Sequence, residues 1–418
     1  MLEIFEIPKE ERPKTLLLTL YFFLIIAAFW IQKPLRTSKF VKAVGVENLP
    51  WAKLGTAALI LPVMMLYSAV IRRMPRGYAA FTCSLVFVGG SLFFWRVFSG
   101  QAPDWAHYTY FFYIDIYITV MLAAFWSLAH ATTPPDQAKR TYAVVGAGGI
   151  LGGAIGSAVT GWLVNRIGSS NLMLVCAAVL LSVAWISWKL SQMCALPMPA
   201  PDPDPGFKRA VAGARLTFAD PYLLSIAGMV ACYEIVSNIV DYQFSAATAA
   251  HFSGEGDLAA FIGKLSTANI GVSVMVQILA TSLILRRWGP RGGVMVLPVT
   301  LGVLSAAYLG IPTVAIAALL FSSDATFNYS INQTSKETLY TPTDEAVKYQ
   351  AKAFIDMFVF RVAKGLSALM ILFVNLKLKP AGWDAPRLSV ISLAFVLAWA
   401  VLARKAGRRF DELSAPAV

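Results

Sequence analysis

Charge is scarce in this chain of 418 residues: Asp, Glu, Lys and Arg make up 14% of it, against roughly 25% in an ordinary soluble domain. Histidine occurs only at His107, His130 and His251, too far apart for a metal cluster or a shared catalytic base. The four cysteines, Cys83, Cys176, Cys194 and Cys232, form no CxxC pair, which argues against a disulfide framework and a thiolate metal site. No Walker-type phosphate loop occurs, so nucleotide hydrolysis has no platform. Ten-residue stretches of alternating polarity are also missing, which argues against a membrane β-barrel. No cofactor and no catalytic residue are expected, and the chain does not read as an enzyme.

What is abundant is apolar surface. Hydrophobic residues make up 57% of the chain, and the mean hydropathy is +0.63. Runs such as Thr15–Gln32, Leu54–Ile71, Tyr78–Trp95, Asn171–Trp188, Val274–Leu285 and Leu388–Leu402 suit helices crossing the ~30 Å hydrocarbon core. Together with the more polar stretches between them they predict about twelve transmembrane helices, because lipid leaves backbone amides no partner outside the helix. The first run follows a mixed-charge start and lacks a small-residue cleavage site, so it reads as a retained span. Much of the net charge of +12 falls in alternate loops and the tail, including Arg72, Arg73, Arg76, Lys139, Arg140, Lys208, Arg209, Arg215, Arg286, Arg287, Arg291, Arg404 and Lys405. By the positive-inside rule this predicts cytoplasmic termini in a cell inner (plasma) membrane, and it accounts for the charge without nucleic acid.

Two short matches suggest an internal repeat. Ile71-Arg72-Arg73 recurs as Leu285-Arg286-Arg287, 214 residues on, and Gln137-Ala138-Lys139 recurs as Gln350-Ala351-Lys352, 213 residues on. The proline-rich stretch Leu196–Gly206 cannot continue a helix. The expected organisation is therefore an N-terminal six-helix bundle (1–192), a cytoplasmic linker (193–220) and a C-terminal six-helix bundle (221–418). This all-α integral membrane plan is that of the major facilitator fold, whose halves rock about a central site.

Ionisable groups inside spans cost roughly 2.5–3.5 kcal/mol each on insertion scales, so each needs a partner or a function. The first span ends in Gln32-Lys33-Pro34-Leu35-Arg36, followed by Lys39 and Lys42, on the side the positive-inside rule makes external. Snorkelling suits Lys39 and Lys42; Lys33 and Arg36 read better as an anion site. Asp115 lies in the fourth span, as a partner for either cation or as a proton carrier. In the seventh, Glu234, Asn238 and Asp241 are spaced to share one helix face. The tenth offers Ser322, Asp324, Asn328, Asn332 and Lys336; the eleventh offers Lys352, Asp356, Arg361 and Lys364. Lys352 and Asp356, at i and i+4, are positioned to neutralise each other, which leaves Arg361 and Lys364 for a phosphate or carboxylate. Trp126 heads the aromatics, with Trp30, Tyr113 and Tyr242, available to stack on a base. The run Gly146–Gly156 sits in an apolar helix with no preceding strand, so it reads as a helix-packing surface.

Several stretches together resemble the nucleotide transporter (ATP/ADP translocase) family in its shorter bacterial branch. They are Lys33-Pro34-Leu35-Arg36 with Glu47-Asn48-Leu49-Pro50-Trp51; Phe125-Trp126-Ser127-Leu128-Ala129-His130; and Ser335-Lys336-Glu337-Thr338-Leu339-Tyr340 with Gln350–Asp356 and Arg361-Val362-Ala363-Lys364-Gly365. The resemblance implies a major facilitator fold, nucleotide exchange, and site roles for Lys33, Arg36, Asp115, Asp241 and Lys336. This chain departs from the family pattern at Thr37, His130 and Gln243, where the pattern has Asp, Asn and Lys. The expected function is secondary active transport of an anionic organic solute by alternating access, with nucleotide exchange or uptake as the first reading. The alternatives are proton-coupled transport of another organic anion (a siderophore, sugar phosphate or dicarboxylate) and a membrane enzyme acting on lipid-linked phosphates. The expected partners are the anionic substrate, membrane lipid and a coupling proton, with the chain acting as a monomer.

Overall fold

The computed structural model describes residue 8 and residues 10–71, 74, 76–193 and 206–414. Among them the side chains of 70, 71, 76, 77, 135, 139, 206–211 and 345–349 are excepted. Arg72 and Arg73 of the repeat, the side chains of Lys139, Lys208 and Arg209, Cys194, and the proline stretch through Pro205 thus lie outside the described residues.

The described residues form helices and turns, with no strand among them. Eleven helical stretches are long and apolar enough to cross a membrane, so this is a multi-pass membrane protein. One of the eleven, Glu255–Gly310, has 56 residues and a length of about 84 Å, enough for two crossings. It breaks at Gly289, whose φ of 63° only glycine adopts readily. With that break the described residues make twelve crossings, in line with the hydropathy.

The chain divides into two compact units. Unit 1 comprises Met1–Gly45, Gly55–Pro201 and Phe252–Ile270, and unit 2 comprises Val46–Leu54, Asp202–His251 and Gly271–Val418. Unit 1 is built on α1 (Arg12–Ala43), most of α2 (Leu49–Ile71), α3 (Arg76–Phe98), α4 (Asp104–Thr132), α5 (Pro135–Ile167) and α6 (Ser169–Met193). It also takes in the first part of α9 (Glu255–Met275). Gly148, Gly152 and Gly156 of α5 face Thr19, Phe23 and Ala27 of α1, and a Cβ at Gly152 or Gly156 would collide with the carbonyl opposite. One turn further, Thr160 Oγ1 donates to the Ile31 carbonyl at 2.8 Å. A four-residue repeat on both helices thus brings the backbones together, which is the use expected of this glycine run. Tyr21, Phe87, Tyr117 and Phe125 fill the core between α1, α3 and α4.

Unit 2 surrounds α8 (Pro221–His251), which packs on α11 (Val314–Phe327), α14 (Phe360–Phe373) and α15 (Leu388–Ser414). Trp399, Tyr222, Tyr308 and Tyr340 are buried there. The remaining helices are α10 (Ser282–Gly310), α12 (Gln333–Leu339) and α13 (Glu345–Phe354). The linker also contains a helix, α7 (Gly206–Ala219), packed on α13. Past Pro205 no proline interrupts the chain until Pro221, so helix formation resumes there. Among the described residues of unit 2 there are four widened π turns, at Val276–Thr281, Asn328–Asn332, Ile355–Val359 and Val374–Leu378. Such turns insert an extra residue and re-aim the side chains around it.

Candidate functional site

In unit 1 the anion-site candidates lie on α1, within the 32-residue stretch that spans the membrane. Lys33 is 21 residues, about 31 Å, from Arg12 and 10 residues, about 15 Å, from Ala43. Its ammonium lies over Trp30 at 4.5 Å and Phe29 at 5.8 Å from the ring centroids. Arg36 is paired with Asp115 of α4, and its guanidinium lies 4.1 Å above the Phe111 ring centroid. Aromatic faces thus hold two cations where water is scarce. Lys39 departs from the snorkelling expectation: only 5% exposed, it bonds Ser169 Oγ at 2.8 Å and Glu255 at 3.0 Å, above Phe98. The acid comes from α9, more than 200 residues away in sequence, which is why no local spacing reveals it. Lys42 donates to the Phe252 carbonyl.

Trp126 of α4 lies among the rings of Phe22, Phe125, His130 and Tyr142 at centroid distances of 5.2–5.8 Å. His130 packs on Trp126 and Tyr142.

In unit 2 the shared face of α8 forms as the spacing predicts. Glu234 and Asn238 are buried, and Asn238 Nδ2 donates to the Glu234 carbonyl at 2.8 Å. Lys53, in the first turns of α2, bonds Asp241 Oδ2 at 2.6 Å and Asn238 Oδ1 at 3.4 Å. The sequence reading misses Lys53, because it stands just before the apolar run Leu54–Ile71 and its partner is 188 residues away. Asp324 of α11 is buried; Ser237 Oγ donates to its Oδ2 at 2.6 Å, and its Oδ1 has no hydrogen-bond partner among the described residues.

The π turn at Asn328–Asn332 brings Asn328 and Asn332 together, the amide of Asn332 donating to Asn328 Oδ1 at 3.1 Å. Both line a cavity of about 90 Å³ with Tyr233, Glu234, Lys336 and Trp399. That volume is well below the roughly 300 Å³ at which ligand pockets begin. The charges of Lys364, Lys336 and Lys53 all act attractively on Glu234, while Asp324 repels it.

The ion pairs around α13 differ from the expected i,i+4 pair. Lys352 bonds Glu337 Oε2 at 2.6 Å, and Asp356 meets Lys336 at 3.3 Å. Asp356 lies in the π turn Ile355–Val359, where the widened backbone breaks the four-residue register with Lys352. Arg361 and Lys364 are exposed on α14. Neither has a carboxylate within ion-pair distance among the described residues. Arg361 is 11 residues, about 17 Å, into the span Gln350–Ala381, deep for a side chain reaching back to the membrane surface.

Gln243, at the position where the resemblance leads one to expect lysine, is buried; it donates to the Ala385 carbonyl and Ser389 Oγ, both at 2.9 Å. A neutral amide serves packing against α15 here and brings no charge.

A family model described as "TLC ATP/ADP transporter" matches residues 210–323 and 313–410. The chloroplastic ADP,ATP carrier protein 2 of Arabidopsis thaliana is 24% identical over 351 residues, covering 74% of this chain and 55% of that protein. ADP,ATP carrier protein 1 of Chlamydia trachomatis serovar D is 24% identical over 361 residues, covering 76% and 68%. This chain therefore spans little more than half the length of its plant relatives. Among solved structures, the POT family transporter PepTSo superposes with a TM-score of 0.68 at 11% identity, covering 96% of this chain and 99% of that one. The nucleoside transporter NupG gives 0.65 at 12%, covering 96% and 98%. A bacterial homolog of the human lysosomal transporter Spinster gives 0.63 at 15%, covering 98% and 100%. At such identities the likeness establishes the fold, which is that of the major facilitator transporters.

Proposed function

We propose that this chain, a member of the TLC ATP/ADP transporter family, is a secondary transporter that carries a phosphorylated nucleotide by alternating access. The observation that carries the reading is the pair Arg361 and Lys364, exposed on a membrane-spanning helix with no carboxylate at ion-pair distance among the described residues. Each cation costs roughly 2.5–3.5 kcal/mol to insert, and no carboxylate among the described residues lies at ion-pair distance to offset that cost for Arg361. An anionic ligand reached from water offsets it, and Arg presents the fork of donors that phosphate oxygens accept.

In this reading Lys33 and Arg36 are the anion contacts offered by unit 1, and Lys336, Arg361 and Lys364 are those offered by unit 2. Asp115, Asp241 and Asp356 hold Arg36, Lys53 and Lys336 until substrate competes for them. Glu234 and Asn328 supply acidic and neutral contacts near Lys336, and Asn238 supports Glu234 through its carbonyl and contacts Lys53. Trp126 supplies an aromatic wall. The proposed moving bodies are the halves 1–192 and 221–418, joined through 193–220, with 46–54 grouping with the second and 252–270 with the first. Both termini lie in the cytoplasm, as the loop cations favour, and the bacterial relatives favour a plasma membrane. The relatives' printed names favour ATP and ADP as substrates.

The test is uptake of labelled ATP and ADP into proteoliposomes, with and without internal nucleotide. Native protein is expected to take up label faster into nucleotide-loaded vesicles, and Arg361→Gln and Lys364→Gln to lose at least nine-tenths of that rate while folding normally. Uptake at the native rate in both variants overturns the site. Lack of nucleotide uptake, with uptake of a sugar phosphate or dicarboxylate, replaces the substrate and keeps the carrier.

A further inference from the structure

The end of α14 carries a feature unconnected with the cluster above. Beyond Phe373 the helix widens into the π turn Val374–Leu378 and finishes in the short 3₁₀ turn Lys379–Ala381. Gly382, at φ 85°, then reverses the chain. Its amide donates to the Lys379 carbonyl at 3.0 Å, and that of Trp383 donates to the Leu378 carbonyl at 3.1 Å. This local geometry sets the Trp383 ring beside Leu378, which sequence separation alone does not require.

The result is an apolar groove of about 360 Å³ between α14 and α15, lined by Leu366, Leu369, Phe373, Leu378, Trp383 and Ile391 among others. Its volume falls within the ~300–1,000 Å³ range of ligand sites. Every lining residue is apolar, and Leu366, Leu369 and Phe373 are 43%, 52% and 59% exposed. The run from Leu366 to Leu378 covers about 18 Å of helix, close to the ~15 Å of hydrocarbon in one leaflet.

The charges lie at one end only. Lys377 and Lys379 flank Leu378, are exposed, and have no ion pair among the described residues. Arg387 donates to the Gly382 carbonyl, and Asp384, which accepts from the Arg387 amide at 3.3 Å, is the one acid in this turn. Three cations against one acid leave the rim positive where the groove meets the membrane surface. Trp383 stands at that boundary, as tryptophan commonly does.

We propose that this groove binds one anionic phospholipid, its acyl chain along Leu366, Leu369, Phe373 and Ile391 and its phosphate at Lys377 and Lys379. A plainer role for the two lysines is to complement the negative end of the α14 dipole. That role affects stability but confers no choice between lipids, so the two readings separate.

The experiment is quenching of Trp383 fluorescence by brominated lipids in mixed micelles of the full chain, taken as the difference from Trp383→Phe. Brominated phosphatidylglycerol is expected to quench at a mole fraction on the order of tenfold lower than brominated phosphatidylcholine with the same chains. In Lys377→Gln/Lys379→Gln the two lipids should quench alike, with thermal stability in lipid-free micelles unchanged. Equal quenching by both lipids in the native chain overturns the proposal. So does a preference that survives the double substitution, or a loss of stability in that variant without a change in preference.

Discussion

The pair Arg36–Asp115 allows the structural and functional readings of the first span to be separated. Arg36 is 11% and Asp115 25% exposed, so each keeps little water. Replacing Arg36 by Met leaves the Asp115 carboxylate without its cation and removes the contact with Phe111, 4.1 Å from the guanidinium. Breaking a buried pair costs 3–5 kcal/mol; about 3 kcal/mol is expected here, because Asp115 retains a quarter of its exposure. Asp115→Leu should cost about 2 kcal/mol, since Arg36 keeps its aromatic face. The double variant removes both charges, and apolar replacements of a buried pair are often neutral. It should therefore lie within about 1 kcal/mol of native, a coupling of about 4 kcal/mol between the two sites. Detergent-titration unfolding of all four proteins measures this, with proteoliposome uptake in parallel. If Arg36 also receives substrate, the double variant folds but does not transport. Additive destabilisation, with coupling under about 0.5 kcal/mol, refutes the energetic argument, and native transport in the double variant refutes the functional one.

The remaining predictions concern packing and charge. A methyl group at Gly152 or Gly156 collides with the Phe23 or Ala27 carbonyl. Gly156→Ala should therefore destabilise by about 2–3 kcal/mol through overpacking, whereas Gly146→Ala, with nothing within 4 Å, should gain up to about 1 kcal/mol from helix propensity. Unfolding of the two variants side by side checks the contrast, and equal effects would show that α1 and α5 do not meet at these glycines. Lys53→Met should cost less than about 1 kcal/mol, because its partner Asp241 is 42% exposed. Uptake in the same variant should fall at least tenfold if Lys53 is released to substrate, and native uptake would make the pair purely structural.

Much of the architecture is legible in the sequence, for a reason particular to lipid. An apolar run of membrane length has no alternative to a helix, so the spans could be counted, and the 56-residue stretch Glu255–Gly310 only conceals one boundary at Gly289. The glycines of α5 read correctly as a packing face because their four-residue spacing is a property of the helix itself. The same holds for Glu234, Asn238 and Asp241 on α8, whose common face follows from the turn of 3.6 residues. The linker is only partly legible, since proline explains Leu196–Pro205 but not the helix that begins at Gly206.

By itself, then, the sequence determined an all-helical membrane chain with ionisable groups set where lipid does not tolerate them, because solvent and helix periodicity act locally along the chain. Only the tertiary structure decided which group each of those charges meets. Arg36 finds Asp115 across 79 residues, Lys53 finds Asp241 across 188, and Lys39 finds Glu255 across 216. Lys352 turns to Glu337 because a π turn shifts Asp356 out of register. Pairing in space depends on how helices cross and where a turn widens, and neither leaves a periodic trace in the residues.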